Sequence, residues 1–243
     1  MTDKSYIGAG KLYLDGRFVG NVSRLDLAFE YETKELQDFT QGGGGLYNSV
    51  ERISSVGFEF DFHDYSAENL AAALYGSSAA VAAATVTDES ITAPSDLSTG
   101  DRLVKTAHML DTAQTVTLTT DPAGTTYTED TDYTITAAGV VLLSAGSISD
   151  DEALLIDYDK KAADLVQALV NSGSEFLMVF DGLNDAQSGA PVVVEAYRAK
   201  PSPAEGLPLI GDDFAANTVT GKILKDTTIV GAGLSQYLTM SVS

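Results

Sequence analysis

Four short stretches carry residue types that could do chemistry. Residues 8–11 read GAGK, like the end of a phosphate-binding loop. That motif needs an earlier glycine at fixed spacing, a Ser or Thr after the lysine, and a helix beyond. Leu12 follows Lys11 instead, and a strand is expected after it. VGAGLS at 230–235 has no helix or βαβ unit around it. His63 and His108 lie far apart, and neither has a second ligand at zinc spacing. EDTDY at 129–133 and SDDE at 149–152 crowd carboxylates together without the spaced ligands of an EF-hand, and they read as solvated turns. A glycosidase needs only two carboxylates, and no pair is marked out. A nucleophile elbow of the form G-x-S-x-G is missing. The chain has no cysteine, which excludes disulfides, thiolate metal sites and thiol catalysis. The sequence thus marks out no catalytic, cofactor-binding or metal-binding residue and no cofactor is expected, while a glycosidase carboxylate pair stays open in so acidic a β protein.

The elements that would position any site are strands. KLYLDGRFVG reads as a hairpin turning at Asp15-Gly16, where both turn positions need positive φ. In SRLDLAFEYETKEL, Leu25, Leu27, Phe29 and Tyr31 share one face, and Asp26, Glu30 and Glu32 share the other with Arg24. In SSVGFEFDFHDYS, Val56, Phe58, Phe60 and Phe62 oppose Glu59 and Asp61. Both are expected as half-buried strands with mainly acidic outer faces. Between them, in a long excursion from about Glu35 to Arg52, stands the run Gly42, Gly43, Gly44 and Gly45, followed by Leu46 and Tyr47. A phosphate cradle would open into a helix. This run opens into a strand, which leaves a floppy hairpin loop or a loop that orders against a neighbour, with Leu46 and Tyr47 as its apolar anchors.

DYSAENLAAALYG predicts a short helix capped by Ser66, with Glu68 in the first turn, Leu70 and Leu74 stacked, and Gly76 ending it in the left-handed conformation. SSAAVAAATV reads as a linker. From 86 to 161, short threonine-rich strands between turn signals suggest an inserted small β-sandwich. The core domain is then discontinuous, 1–85 and 162–243. In the tail, AADLVQALVNSG reads as a short helix or an irregular strand, and the last strand ties the C-terminus into a sheet. The fold class expected is all-β, mainly antiparallel: a β-sandwich or partial barrel with one short flanking α-helix, plus the inserted sandwich.

The formal net charge is -21. Such acidity opposes nonspecific binding to nucleic acid, which rests on cations that neutralise phosphates. No stretch is long and apolar enough for a transmembrane helix, so no membrane partner is expected, and no secretory signal is visible.

The order of GNVSRLDLAFEYETKELQDFTQGGGG, ISSVGFEFDFHDYSAENLAAALYG and FDGLNDAQSGAPVVVEAYRAKPSPAEGLPLIGDDF resembles the tail tube (major tail) proteins of long-tailed bacteriophages. The likeness covers the first and last thirds of the chain. The middle resembles the immunoglobulin-like or similar β domain that some members carry outside. The resemblance implies a structural virion protein that is not an enzyme, made in the host cytoplasm and located in the phage tail. Its copies form rings, commonly hexameric, stacked into a hollow tube beside other tail proteins, and DNA passes through without specific binding. It also implies that the long loop contacts a neighbouring ring or subunit. By position, Glu30, Glu32, Glu59 and Asp61 match strands that such proteins turn toward the lumen. The rival expectations are a tail terminator, a baseplate component or an adhesin, and then a glycan-active enzyme.

Overall fold

A computed structural model describes residues 5–40 and 42–243. The protein is all-β, mostly antiparallel, with one short helix. In chain order the first strands are β1 (Gly8–Leu14), β2 (Arg17–Phe18), β3 (Val22–Gln37) and β4 (Leu46–Phe62), followed by helix α1 (Ala67–Ala73). Next come β5 (Ser77–Val81), β6 (Ala84–Thr92), β7 (Arg102–Lys105), β8 (Thr117–Thr120), β9 (Tyr133–Thr136), β10 (Gly139–Leu142) and β11 (Ala153–Lys160). The last are β12 (Ala163–Gln167), β13 (Phe176–Asn184), β14 (Ala190–Pro201), β15 (Asn217–Ile223) and β16 (Leu238–Val242).

The chain divides into two compact units, 1–78 with 166–243, and 79–165. The first holds an eight-stranded sheet in the order β2-β1-β13-β14-β15-β4-β3, with β16 also on β14. The β1–β2 turn uses Asp15 at φ 49° and Gly16 at φ 77°, the positive values a tight hairpin requires. Val56, Phe58, Phe60 and Phe62 are buried with Leu12, Met178, Ala196 and Val219. Burying each phenylalanine contributes about 1.5–3 kcal/mol. Leu25 and Leu27 of β3 line one cleft with Leu12, Met178 and Val192, so the sheet curls toward a partial barrel.

Helix α1 starts where Ser66 accepts a hydrogen bond from the Asn69 N–H at 3.3 Å. Its buried face is Asn69, Ala71 and Ala73, while Leu70 and Leu74 are half-buried. The left-handed residue after it is Tyr75, at φ 51°, rather than Gly76. The Tyr75 hydroxyl donates to the Pro201 carbonyl, a tertiary contact that holds the residue there. The expected alanine-rich linker is ordered: it forms β5, which pairs with β12, and the start of β6. The same pairing makes the ambiguous AADLVQ segment a strand.

The second unit has two three-stranded sheets, β7-β10-β9 and β6-β11-β8. They share a core of Leu118, Leu154, Ile156 and Tyr158 with Tyr133, Val140 and Leu142. The expected bounds of 86–161 differ from 79–165 because β6 begins at Ala84 and pairs there with Lys160. The chain passes between units within β5 and again within β12, which pair with each other alone.

Candidate assembly surface

Several of the residues that suggested chemistry have structural partners. Lys11 lies in a strand paired with β13, and Gly10 passes close over the backbone of Asp181 and Gly182. His63 ties two chain segments, its Nδ1 3.0 Å from the Ala215 carbonyl and its Nε2 2.9 Å from the Ser23 hydroxyl. Asp132, in the EDTDY turn, is buried and accepts backbone N–H groups of Thr128 and Ser147 at 2.8 and 2.7 Å, which hold its carboxyl below the usual range. Glu152 accepts from the Tyr127 hydroxyl and the Ser149 N–H. Among the described residues no three His, Cys, Asp or Glu side chains converge as metal ligands would.

Strands β3 and β4 pair through almost their whole length, from Val22 opposite Phe62 to Gln37 opposite Leu46. The expected excursion from Glu35 to Arg52 is therefore mostly ladder, since β3 runs to Gln37 and β4 starts at Leu46. In a strand successive side chains alternate faces. Leu25, Leu27, Phe29, Tyr31, Thr33 and Glu35 thus continue one face. Val56, Phe58 and Phe60 oppose the first of these. The register then skips Ser54, a bulge after which Ile53 meets Tyr31, Glu51 meets Thr33 and Ser49 meets Glu35.

The core ends before this ladder does. Leu25 and Leu27 are half-buried, whereas every residue from Phe29 to Gln37 and from Leu46 to Ser54 is exposed. The expectation that Phe29 and Tyr31 are buried is thus overturned, since no part of the described chain covers the distal ladder. Beyond the core the hairpin is an arm of about nine residues per strand, roughly 30 Å at 3.3 Å per residue. It carries Phe29, Tyr31 and Ile53 on the core-side face and Leu36 and Val50 on the other. Phe39, Leu46 and Tyr47 sit exposed around the tip.

At the tip Gly43, Gly44 and Gly45 have φ of 121°, 69° and 150°, which a side chain would strain; Gly42 does not. The Asp38 N–H closes the tip on the Gly45 carbonyl at 2.6 Å. Asp38 also accepts from the Thr40 hydroxyl at 2.6 Å and the Thr40 N–H at 2.8 Å, which lowers its pKa. The glycines thus serve turn geometry. Leu46 opens β4, and both Leu46 and Tyr47 present open apolar surface.

Glu30, Glu32, Glu59 and Asp61 share the opposite face of the ladder. Glu30 and Glu32 are exposed, while Glu59 and Asp61 are half-buried. The face is less acidic than its alternation suggested. Arg24 bridges Asp26 and Glu59 at 2.6 Å each, Lys34 pairs with Glu32, and Arg52 stands opposite Glu32. Ser55 donates to Glu30, and the Thr218 hydroxyl donates to Asp61 at 2.5 Å.

Two features escaped the sequence reading. Lys200 and Lys222 lie directly opposite each other on β14 and β15, and β-strand register is invisible without the sheet order. The loop between these strands carries Leu209, Ile210 and Phe214 fully open. Its sequence, LPLIGDDF, held the signal: large apolar residues among Pro, Gly and Asp.

A family model matches residues 5–241, and the chain belongs to the family it describes, Protein of unknown function UCP028589. No curated protein matches the chain.

Proposed function

We propose that this member of the UCP028589 family is a structural virion protein that polymerises into stacked rings forming the hollow tail tube of a phage, without enzymatic activity. The observation that carries this reading is the β3–β4 arm. A two-stranded ribbon is marginal in water by itself. This one is long and exposed on both faces, with large apolar side chains along it. Such surface invites another chain. Open sheet edges at β2, β3 and β16 add to the invitation, and head-to-tail contacts that close into a ring satisfy them.

In this reading the partners are further copies and other tail proteins, and the protein resides in the virion. The face bearing Glu30, Glu32, Glu59 and Asp61 lines the channel. On β3 and β4 it presents five carboxylates, with Asp26, against three cations, Arg24, Lys34 and Arg52. That excess is confined to β3 and β4, since Lys222 and Lys200 continue the same face across β15 and β14; repeated around a ring, the β3–β4 stretch would keep DNA phosphates from adhering. No helix among the described residues is long and apolar enough to cross a membrane.

Electron microscopy of the purified protein tests the reading. Rings or tubes of uniform bore are expected on concentration. A protein that stays monomeric at every concentration and salt overturns it. Changing Glu30, Glu32, Glu59 and Asp61 together to Lys is expected to leave assembly intact and make the bore retain DNA at low salt. A reconstruction with these side chains on the outer wall removes the channel assignment.

A further inference from the structure

One cross-strand row on the outer face of the first unit's sheet runs from Ala28 on β3 to Gly57 on β4, Lys222 on β15 and Lys200 on β14, each the register partner of the next. Lys200 and Lys222 are exposed, and neither has an ion pair among the described residues. Like charges directly opposite on a ladder are destabilising. Carboxylates stand nearby, but they serve other groups. Glu175, next to the Phe176 that pairs with Ala199, takes two bonds from Arg198 at 2.7 and 2.9 Å. Asp26 and Glu59 bridge to Arg24, and Glu30 accepts from Ser55. Glu205 lines a recess with Glu59, Thr218 and Thr220, toward the start of β15.

The neighbour of Lys222 in this row is the second observation. Gly57 lies inside a 17-residue strand, where glycine weakens the ladder. Packing does not ask for it. A Cβ there would meet nothing nearer than the Gly221 carbonyl oxygen at 3.6 Å, an ordinary contact. Gly221 on the adjoining strand is the opposite case, since a Cβ there would collide with the Lys200 carbonyl oxygen and the Phe58 ring. The bulge in β4 falls at Ser54, three residues away. A strand glycine that neither packing nor a bulge requires marks a place where another molecule comes close to the backbone.

We propose that Lys200 and Lys222 together hold one backbone phosphate of the DNA in the channel, with the sugar-phosphate chain passing over Gly57. Directly opposed Cβ atoms lie about 5 Å apart, so two ammonium groups can converge on a single phosphate. This rests on the channel reading above, in which the face that bears Glu59 is the wall, and it gives the wall a second role beyond β3 and β4. The carboxylates of β3 and β4 repel phosphates, while the lysine pair takes one per copy. Neutralising one phosphate gives a salt exponent of only about -0.9 and carries no sequence information, so DNA is held lightly and still slides.

Lysine acetylation read by mass spectrometry tests this on the full chain, dilute enough to remain unassembled, with and without an excess of a short DNA duplex at low salt. Lys200 and Lys222 are expected to react roughly twofold or more slowly with the duplex, while the exposed Lys34 and Lys161 keep their rates. The protection should fade as salt rises. K200Q is expected to remove the protection of Lys222. Gly57→Val is expected to leave urea stability unchanged or raised and to remove the protection of both lysines, because its side chain covers the approach. If Gly57→Val does not fold, K200Q decides alone. An unprotected wild type, or protection that survives either substitution in a folded chain, overturns the proposal and leaves the assembly reading in place. Equal protection by polyglutamate of matched charge, or by inorganic phosphate, overturns the assignment to DNA. A chain that never assembles, or a tube with Lys200 and Lys222 on its outer wall, overturns this proposal together with the channel reading.

Discussion

Tyr31 stands directly opposite Ile53 on the face that continues the hydrophobic core, yet they are 61% and 51% exposed. A few residues nearer the core on the same two strands, Phe60 is buried, with ring centroids 6.1 Å from Phe58 and 6.3 Å from Phe62. Position along a single ladder thus separates residues that hold the subunit from residues that remain uncovered.

That separation gives opposite mutational outcomes. Tyr31→Ser with Ile53→Thr is expected to leave urea stability within about 0.5 kcal/mol per site, because little burial is lost, while assembly disappears. Phe60→Ala is expected to cost about 3–5 kcal/mol through a lost ring and the cavity it leaves. Denaturation of the two variants side by side decides the matter. A large stability loss in the arm variant would mean that its side chains already pack within the subunit.

The second unit should be the one that yields to alkali. Burial first, and then hydrogen bonds to Glu152 and Glu89, push Tyr127 and Tyr158 up to about 12. A phenol whose folded pKa exceeds its unfolded value contributes stability that is fully present below about 10 and is lost as pH rises toward 12. Burial raises Tyr133 in the same core as well, so tyrosinate absorbance should show three late hydroxyls that ionise together with loss of the second unit's structure. Tyr158→Phe should remove one of them. Titration of all 11 tyrosines as a single group near pH 10, with the fold intact, would contradict this.

Replacing residues 82–162 by a short Gly-Ser linker between Val81 and Ala163 should leave the first unit folded, since its core draws on no residue of the excised stretch. The shortened chain is expected to keep a cooperative unfolding transition and to form tubes with a thinner outline. A shortened chain that is unfolded by circular dichroism would show that the first unit depends on the insertion.

Much of the sheet was legible because alternation and turn chemistry are local. Phe58, Phe60 and Phe62 announced a buried face, and Asp15-Gly16 announced its hairpin. What stayed hidden depended on where the core stops. Leu27 and Tyr31 belong to one unbroken alternation, and only the extent of the packed layer tells one from the other. Four carboxylates on one face could likewise be read from spacing, but the ion pairs of Glu59 with Arg24 and of Glu32 with Lys34 depend on side-chain reach. The lysine pair depends on two strands more than twenty residues apart in sequence becoming neighbours. The alanine-rich stretch after α1 looked like a linker because small residues carry no face, and pairing with β12 gave it a structure its composition did not announce.

The small ladder of β5 and β12 has a consequence for the molecule's history and use. A chain that departs and returns through one paired rung holds whatever lies between as a cassette, since both splice points are fixed by the same few hydrogen bonds. In that arrangement the passenger is expected to tolerate lengthening or replacement without rerouting the host sheet. Carried on a repeating assembly, such a socket would present its cargo once per subunit at regular spacing, a ready place to graft an antigen, a reporter or a binding module.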